Sequence, residues 1–180
     1  MLAGGPPLAV AAAEGTAVGV DPDAVARRGS ADRTLVVGAD ISVGERIVTG
    51  PSGRVQVLFA DQTRLVVGPG SALLIESYLM NGDAADKFAI NALAGTFRFI
   101  SGNSPKSAYS IETPTAAIAV RGTKFDVSVA GDLAWIFAEG NALLGQDDGE
   151  RAFPYRLSSV LRFRDGTWRW QLFHGSEPAG

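Results

Sequence analysis

The tripeptide Arg121-Gly122-Thr123 sets a guanidinium, a flexible backbone and a hydroxyl side by side between two alternating apolar segments. That combination could cradle an anion, since a bidentate guanidinium and successive backbone N–H groups both suit phosphate or carboxylate. The same residues have a structural use. Gly122 supplies the freedom for a turn between two core strands, and Arg121 would brace that turn by bonding loop carbonyls or pairing with Glu112. The bracing role is the expected one. Thr113 and Pro114 likewise mark a corner or an edge, where a missing N–H is tolerated.

His174 is the only histidine, and cysteine is absent. A metal site needs several converging ligands, and this tail imidazole has no local companions. A Ser-His-Asp triad would have to use the same histidine, and no Gly-x-Ser-x-Gly elbow is present. Glycoside cleavage needs two acids about 5–10 Å apart in one cleft. Asp61, Glu76, Glu112 and Asp126 are the acids to consider for a carbohydrate-active enzyme. Alternation points Asp126 outward and puts Asp61 at a hairpin tip, so both are expected as solvated surface acids. The sequence carries no P-loop and no Gly-x-Gly-x-x-Gly motif. The expectation is a non-enzyme, with no catalytic residue, cofactor or metal.

A second cationic feature lies near the C-terminus. In the stretch 161–172, LRFRDGTWRWQL, Asp165-Gly166 is a two-residue hairpin signal. That register puts Phe163 opposite Trp168 and Leu161 opposite Trp170 on one face. The other face carries Arg162, Arg164 and Arg169. Arg162 and Arg169 become like-charged neighbours, which costs a few tenths of a kcal/mol unless an anion answers them. Asp147, Asp148 or Glu150 could do so from within the chain. An acidic partner protein or an anionic glycan could do so from outside, which makes these arginines the candidate partner-binding residues.

The elements that must position these groups read as strands. Val55, Val57 and Phe59 alternate with Arg54 and Gln56, then Leu65 and Val67 return after the Asp61-Gln62 tip. Gln62 suits a positive φ poorly, which favours a longer or type I turn there. Residues 78–86 read as a polar surface loop. Phe88, Ile90 and Ala92 resume a strand, Gly95 bends it, and Phe97 and Phe99 continue it. Tyr109, Ile111, Ile118, Val120, Phe125 and Val127 would form an inward stripe. Gly131-Asp132 and Gly140-Asn141 read as turns. No window of ten or more residues holds a helical period. The reading is all-β, a twisted solenoid-like stack of short strands with a C-terminal hairpin. Residues 1–33 form a tail and first strand, 34–145 the main β domain, and 146–180 an extension.

Composition agrees. Hydrophobic residues make up 46% and charged residues 19% of the chain, a globular balance. A net charge of −3 gives no reason to expect nucleic acid or an anionic membrane. No run approaches the roughly 18 apolar residues of a transmembrane helix. Leu8 to Ala13, LAVAAA, is similar to the end of a secretory signal, although no Lys or Arg precedes Arg27.

Taken in order, four pieces resemble the FecR domain. They are the Gly44–Gly50 opening, GERIVTG, the Asp61-centred hairpin tip, the Leu93-x-Gly95-x-Phe97 element, and the Thr113–Phe125 block containing Thr-Pro and Val-Arg-Gly-Thr-x-Phe. The resemblance covers about residues 34–145. It implies a twisted all-β domain on the periplasmic side of a Gram-negative envelope. The founding members are single-span regulators that control a sigma factor and sense a siderophore transporter. Gln62 stands where the family commonly has glycine. With no membrane-spanning run, the chain is expected to be a free-standing domain, periplasmic or secreted. It would bind an envelope protein or an anionic glycan, or signal in trans to a sigma-factor system.

Overall fold

The computed structural model describes residues 13–113, 116–119, 124–146 and 149–176, without the side chains of 113, 116–119, 124–125, 141–146 and 149–153. Among the described residues there are fifteen strands and one short 3₁₀ turn (106–108). Two layers share one long strand and enclose a single core. The strands are β1 (Gly15–Asp21), β2 (Ala24–Arg28), β3 (Ala31–Thr34), β4 (Asp40–Ile41), β5 (Arg46–Thr49), β6 (Arg54–Phe59), β7 (Arg64–Val67) and β8 (Ala72–Asn81). They continue as β9 (Ala84–Ile100), β10 (Tyr109–Thr113), β11 (Ala116–Ala119), β12 (Lys124–Ala130), β13 (Leu133–Gln146), β14 (Gly149–Arg164) and β15 (Thr167–Ser176).

β9 is the shared strand. Its first part pairs antiparallel with β8 and parallel with β10. From Gly95 onward it pairs instead with β7 and β12. Gly95 makes the change of layer possible, with φ at +102°, a conformation that side chains with a Cβ rarely adopt. One layer therefore runs β15-β14-β13-β12-β9-β7-β6-β1-β4. The other runs β11-β10-β9-β8-β5-β2-β3. The sheet does not close into a barrel.

The core sits between the layers and follows the alternation. Val55, Val57, Phe59, Leu65 and Val67 from one layer meet Ile47, Leu73, Ile75, Phe88 and Ile90 from the other, all essentially inaccessible. Phe59 bridges them, its ring centroid 4.5 Å from that of Phe88 and 5.4 Å from that of Tyr78. Each such buried side chain contributes about 1.5–3 kcal/mol. Tyr109, Ile111 and Val127 are buried as expected. The side chains of Ile118 and Phe125, and all of Val120, fall outside the described residues.

The all-β reading and the C-terminal hairpin hold. The solenoid-like stack holds loosely, because short strands occur mainly before residue 72, whereas β9, β13 and β14 run 17, 14 and 16 residues. Two local readings are corrected, and the longer or type I turn read at the β6–β7 tip holds. Residues 78–86 are not a loose loop. β8 continues to Asn81 and turns tightly at Gly82 (φ +62°) into β9, with Tyr78 buried. Gly140-Asn141 is not a turn but lies inside β13, where the β14 partner supplies the missing hydrogen bonds. At the β6–β7 tip, the Gln62 N–H closes a turn onto the Phe59 carbonyl at 3.0 Å. Gln62 then takes the left-handed conformation itself, at φ +68°. That is the type I turn plus left-handed residue of a three-residue hairpin loop, built without the usual glycine.

Two substitutions test this backbone. Gln62→Gly, at an exposed position, relieves left-handed strain of about 1 kcal/mol and should raise the urea midpoint. Gly95→Ala should lower stability by about 3 kcal/mol, from strain plus a Cβ that would lie 2.6 Å from the Ser71 Cα. Chemical denaturation of both variants checks the signs.

Candidate functional site

Asp61 was expected in solvent, and the structure buries it completely. The tight tip turns the carboxylate back under the hairpin, into a cage drawn from both layers. Oδ1 accepts from the Thr63 N–H (3.1 Å) and the Tyr78 hydroxyl (3.1 Å). Oδ2 accepts from the hydroxyls of Thr63 (2.8 Å), Ser104 (2.6 Å) and Tyr109 (2.9 Å). The backbone joins in. The Asp61 N–H donates to the Tyr78 hydroxyl at 2.9 Å, and the Asp61 carbonyl accepts from Asn103 N–H at 2.8 Å. The Gly102 N–H reaches the Thr63 and Tyr109 oxygens at 3.1 and 3.0 Å, and the Ala85 N–H donates to Ser104 Oγ at 2.6 Å.

Burial is the largest influence on Asp61 and pushes its pKa up. The hydrogen bonds from Ser104, Thr63 and Tyr109 together outweigh it and hold the carboxyl below its ordinary value. Burial pushes both tyrosine hydroxyls up, Tyr78 the more strongly, so they remain donors. Lys106 bonds Ser101 Oγ nearby; its pKa is lowered by burial, against the raising influence of the Asp61 charge. A carboxylate with five donors already in place has no lone pair aimed at a substrate. Its role is to clamp the β6–β7 tip to β8, β10 and the loop after β9.

The other acids do not join it. Asp126 pairs with Arg98 at 2.7 Å. Glu76 accepts from Asn91 at 3.2 Å. Glu112 is exposed on β10. Among the described residues no three His, Asp or Glu side chains converge on a metal site. His174 stands exposed on β15 opposite Ser158. Pro114, Arg121, Gly122 and Thr123 lie outside the described residues. Thr113 ends β10 opposite Ala116, and the Phe125 backbone pairs with Phe99 and Ala138.

The arginine hairpin forms in the expected register. Asp165 and Gly166 take φ of +53° and +76°, the pattern of a type I′ turn. Arg162 faces Arg169, Phe163 faces Trp168 and Leu161 faces Trp170. The Phe163 and Trp168 rings lie 5.3 Å apart. Arg162 is answered from inside the chain, by Asp132 of the β12–β13 turn at 3.6 Å; Asp147, Asp148 and the Glu150 side chain lie outside the described residues. Arg164 and Arg169 are exposed and have no ion-pair partner among the described residues.

Charge reading missed the apolar character of the same strand. Trp170, Leu172 and Phe173 are 54%, 61% and 56% exposed. An irregularity next to Trp170 leaves Gln171 unpaired, so Leu161 faces Trp170 while Val160 faces Leu172. Trp170 and Phe173 therefore share a face and pack edge-on at 5.5 Å, with Leu172 on the other face. β15 ends its layer, and among the described residues its outer main chain pairs with nothing. The run Trp-x-Trp-x-Leu-Phe was the available signal.

Asp61→Asn would put an amide donor against hydroxyl donors and should cost about 3 kcal/mol. Because the native carboxyl sits below its ordinary value, its contribution is full above about pH 4 and fades as pH falls through the depressed value. The stability gap between wild type and Asp61→Asn, from urea titrations at pH 7 and pH 3, should therefore narrow at pH 3.

The clamp at Asp61 and the switch of layer at Gly95 lie within the stretch matched by the family model described as FecR protein, residues 45–142. A SnoaL-like domain model matches residues 105–180, overlapping the first and running through the arginine hairpin. No curated protein and no solved structure is significantly similar to the chain. The first match takes in more than half of the 180 residues and includes the opening strand, the aspartate tip and the layer-switching strand already described; the chain belongs to the FecR family.

Proposed function

We propose that this chain is a non-enzymatic binding domain of the cell envelope, whose partner protein docks along β15. The observation that carries the reading is the open ten-residue edge with Trp170, Leu172 and Phe173 more than half exposed beside it. A long apolar edge is a hazard that proteins cover or use, and strand addition needs only main-chain donors and acceptors plus side-chain pockets. The competing edges are poorer. β4 has two residues, β11 four, and β3 is four exposed residues, Ala-Asp-Arg-Thr.

Arg164 and Arg169 add a charge preference, favouring a partner strand with an acidic flank. Membership of an envelope-associated family supports the setting, and among the described residues no helix is long and apolar enough to cross a membrane. The same membership favours a second reading, in which the docked partner is a membrane regulator and the domain signals in trans to a sigma-factor system.

A photo-crosslinking residue at position 173, in intact cells, should capture a discrete protein. One at Leu79, equally exposed on β8, should not. With the crosslinker at 173, Trp170→Lys should abolish capture, and Arg164→Glu with Arg169→Glu should reduce it at least tenfold, with unchanged thermal midpoints. Equal capture from positions 79 and 173 would remove β15 as the docking edge.

A further inference from the structure

The outer face of the long layer, turned away from the core, carries a groove that ends at Leu172 and leaves Trp170 and Phe173 on the opposite face. Residues opposite one another on neighbouring strands share a face, and two rows result. The first runs Thr96, Ser128, Trp135, Val160, Leu172 across β9, β12, β13, β14 and β15. The second runs Val66, Arg98, Asp126, Phe137, Ser158. A depression of about 280 Å³ lies over Trp135, Val160 and Leu172. Another of about 560 Å³ lies over Arg54, Gln56 and Arg98. Both are lined by Thr96 and Asp126, so they adjoin there, and together they are taken as one groove. At about 4.8 Å per strand, its course from Gln56 on β6 to Leu172 on β15 is about 29 Å.

The chemistry of its floor is mixed in a specific way. Trp135 is 43% exposed and offers its ring as a platform. Beside it the Thr96 and Ser128 hydroxyls are 2.9 Å apart, and Asp126 holds Arg98 through two bonds of 2.7 and 3.3 Å. We propose that this groove binds a linear oligosaccharide. One sugar ring would lay its C–H face on Trp135, and vicinal hydroxyls would bond Asp126, Arg98, Ser128 and Thr96. A hydroxyl both donates and accepts, so it satisfies a carboxylate, a guanidinium and another hydroxyl in turn. Other occupants fit less well. An extended peptide would lie on a floor whose main chain is already paired, leaving its own N–H and C=O groups desolvated. An acyl chain would strip water from the Arg98–Asp126 pair and return no hydrogen bond. Arg54, exposed and 3.9 Å from Asp21, would let an acidic sugar bind at the far end.

The full chain should be screened on a glycan array of linear neutral, N-acetylated and uronate oligosaccharides, with hits titrated by isothermal calorimetry. At least one linear glycan should bind saturably. Trp135→Ala and Asp126→Asn should each weaken it tenfold or more with an unchanged thermal midpoint, while Trp170→Lys with Phe173→Lys should leave it intact. That last variant separates this groove from the β15 edge, so either proposal can fail alone. An array without a saturable hit would overturn the proposal. A hit indifferent to Trp135→Ala would do the same, as would Trp135-dependent binding of dansyl-undecanoic acid in place of any glycan.

Discussion

A buried carboxylate with no ion-pair partner among the described residues is an expensive thing to fold around, and this domain does so at the point where its layers must be tied together. Asp61 leaves water at a cost of several kcal/mol, offset only if every donor arrives together. Those donors come from the hairpin itself, from β8, from the loop after β9 and from β10. A chain that places the carboxylate correctly has therefore also placed Tyr78, Ser104 and Tyr109. Such a network specifies one arrangement and penalises near misses, because a half-satisfied version is worse than none. The aromatic rings beneath it belong to the same construction: Tyr78 and Tyr109 give their bodies to the core and their hydroxyls to Asp61.

β9 extends that tie over the whole molecule. A single strand that belongs to two layers keeps their registers from drifting independently, since a one-residue slip would turn every core side chain outward in both. Gly95 is the joint. Before it, Phe88, Ile90 and Ala92 point into the core from one layer; after it, Phe97 and Phe99 do so from the other.

Much of this was legible in the residues. Alternation found the core positions of β6, β7 and β9, the Asp165-Gly166 dipeptide fixed the last hairpin to the residue, and the spaced motifs identified the family. The burial of Asp61 was not legible. A polar residue at a hairpin tip reads as solvated, and two of its partners stand 17 and 48 residues further along the chain. Gly140-Asn141 misled for the complementary reason: turn chemistry is local, and the partner strand that keeps those residues extended is not. The Gln171 irregularity also escaped, because strict alternation groups Trp170 with Leu172, whereas one extra residue groups it with Phe173. Arg162 was correctly placed, but its answering charge, Asp132, comes from a turn that alternation could not aim.

Among the described residues the last three strands of the long layer, β13, β14 and β15, pair only with their neighbours in sequence, β12 to β13, β13 to β14 and β14 to β15. Contacts of that kind close small loops, so they form quickly and late additions do not disturb earlier ones. Every residue of the Asp61 cage, the last of them Tyr109, precedes β14 and β15 in the chain, so the cage can close without them. The C-terminal meander then zips onto a finished body, one hairpin at a time. Its aromatic edge is the part on which the core places the fewest demands, which leaves it free to diverge with whatever it meets.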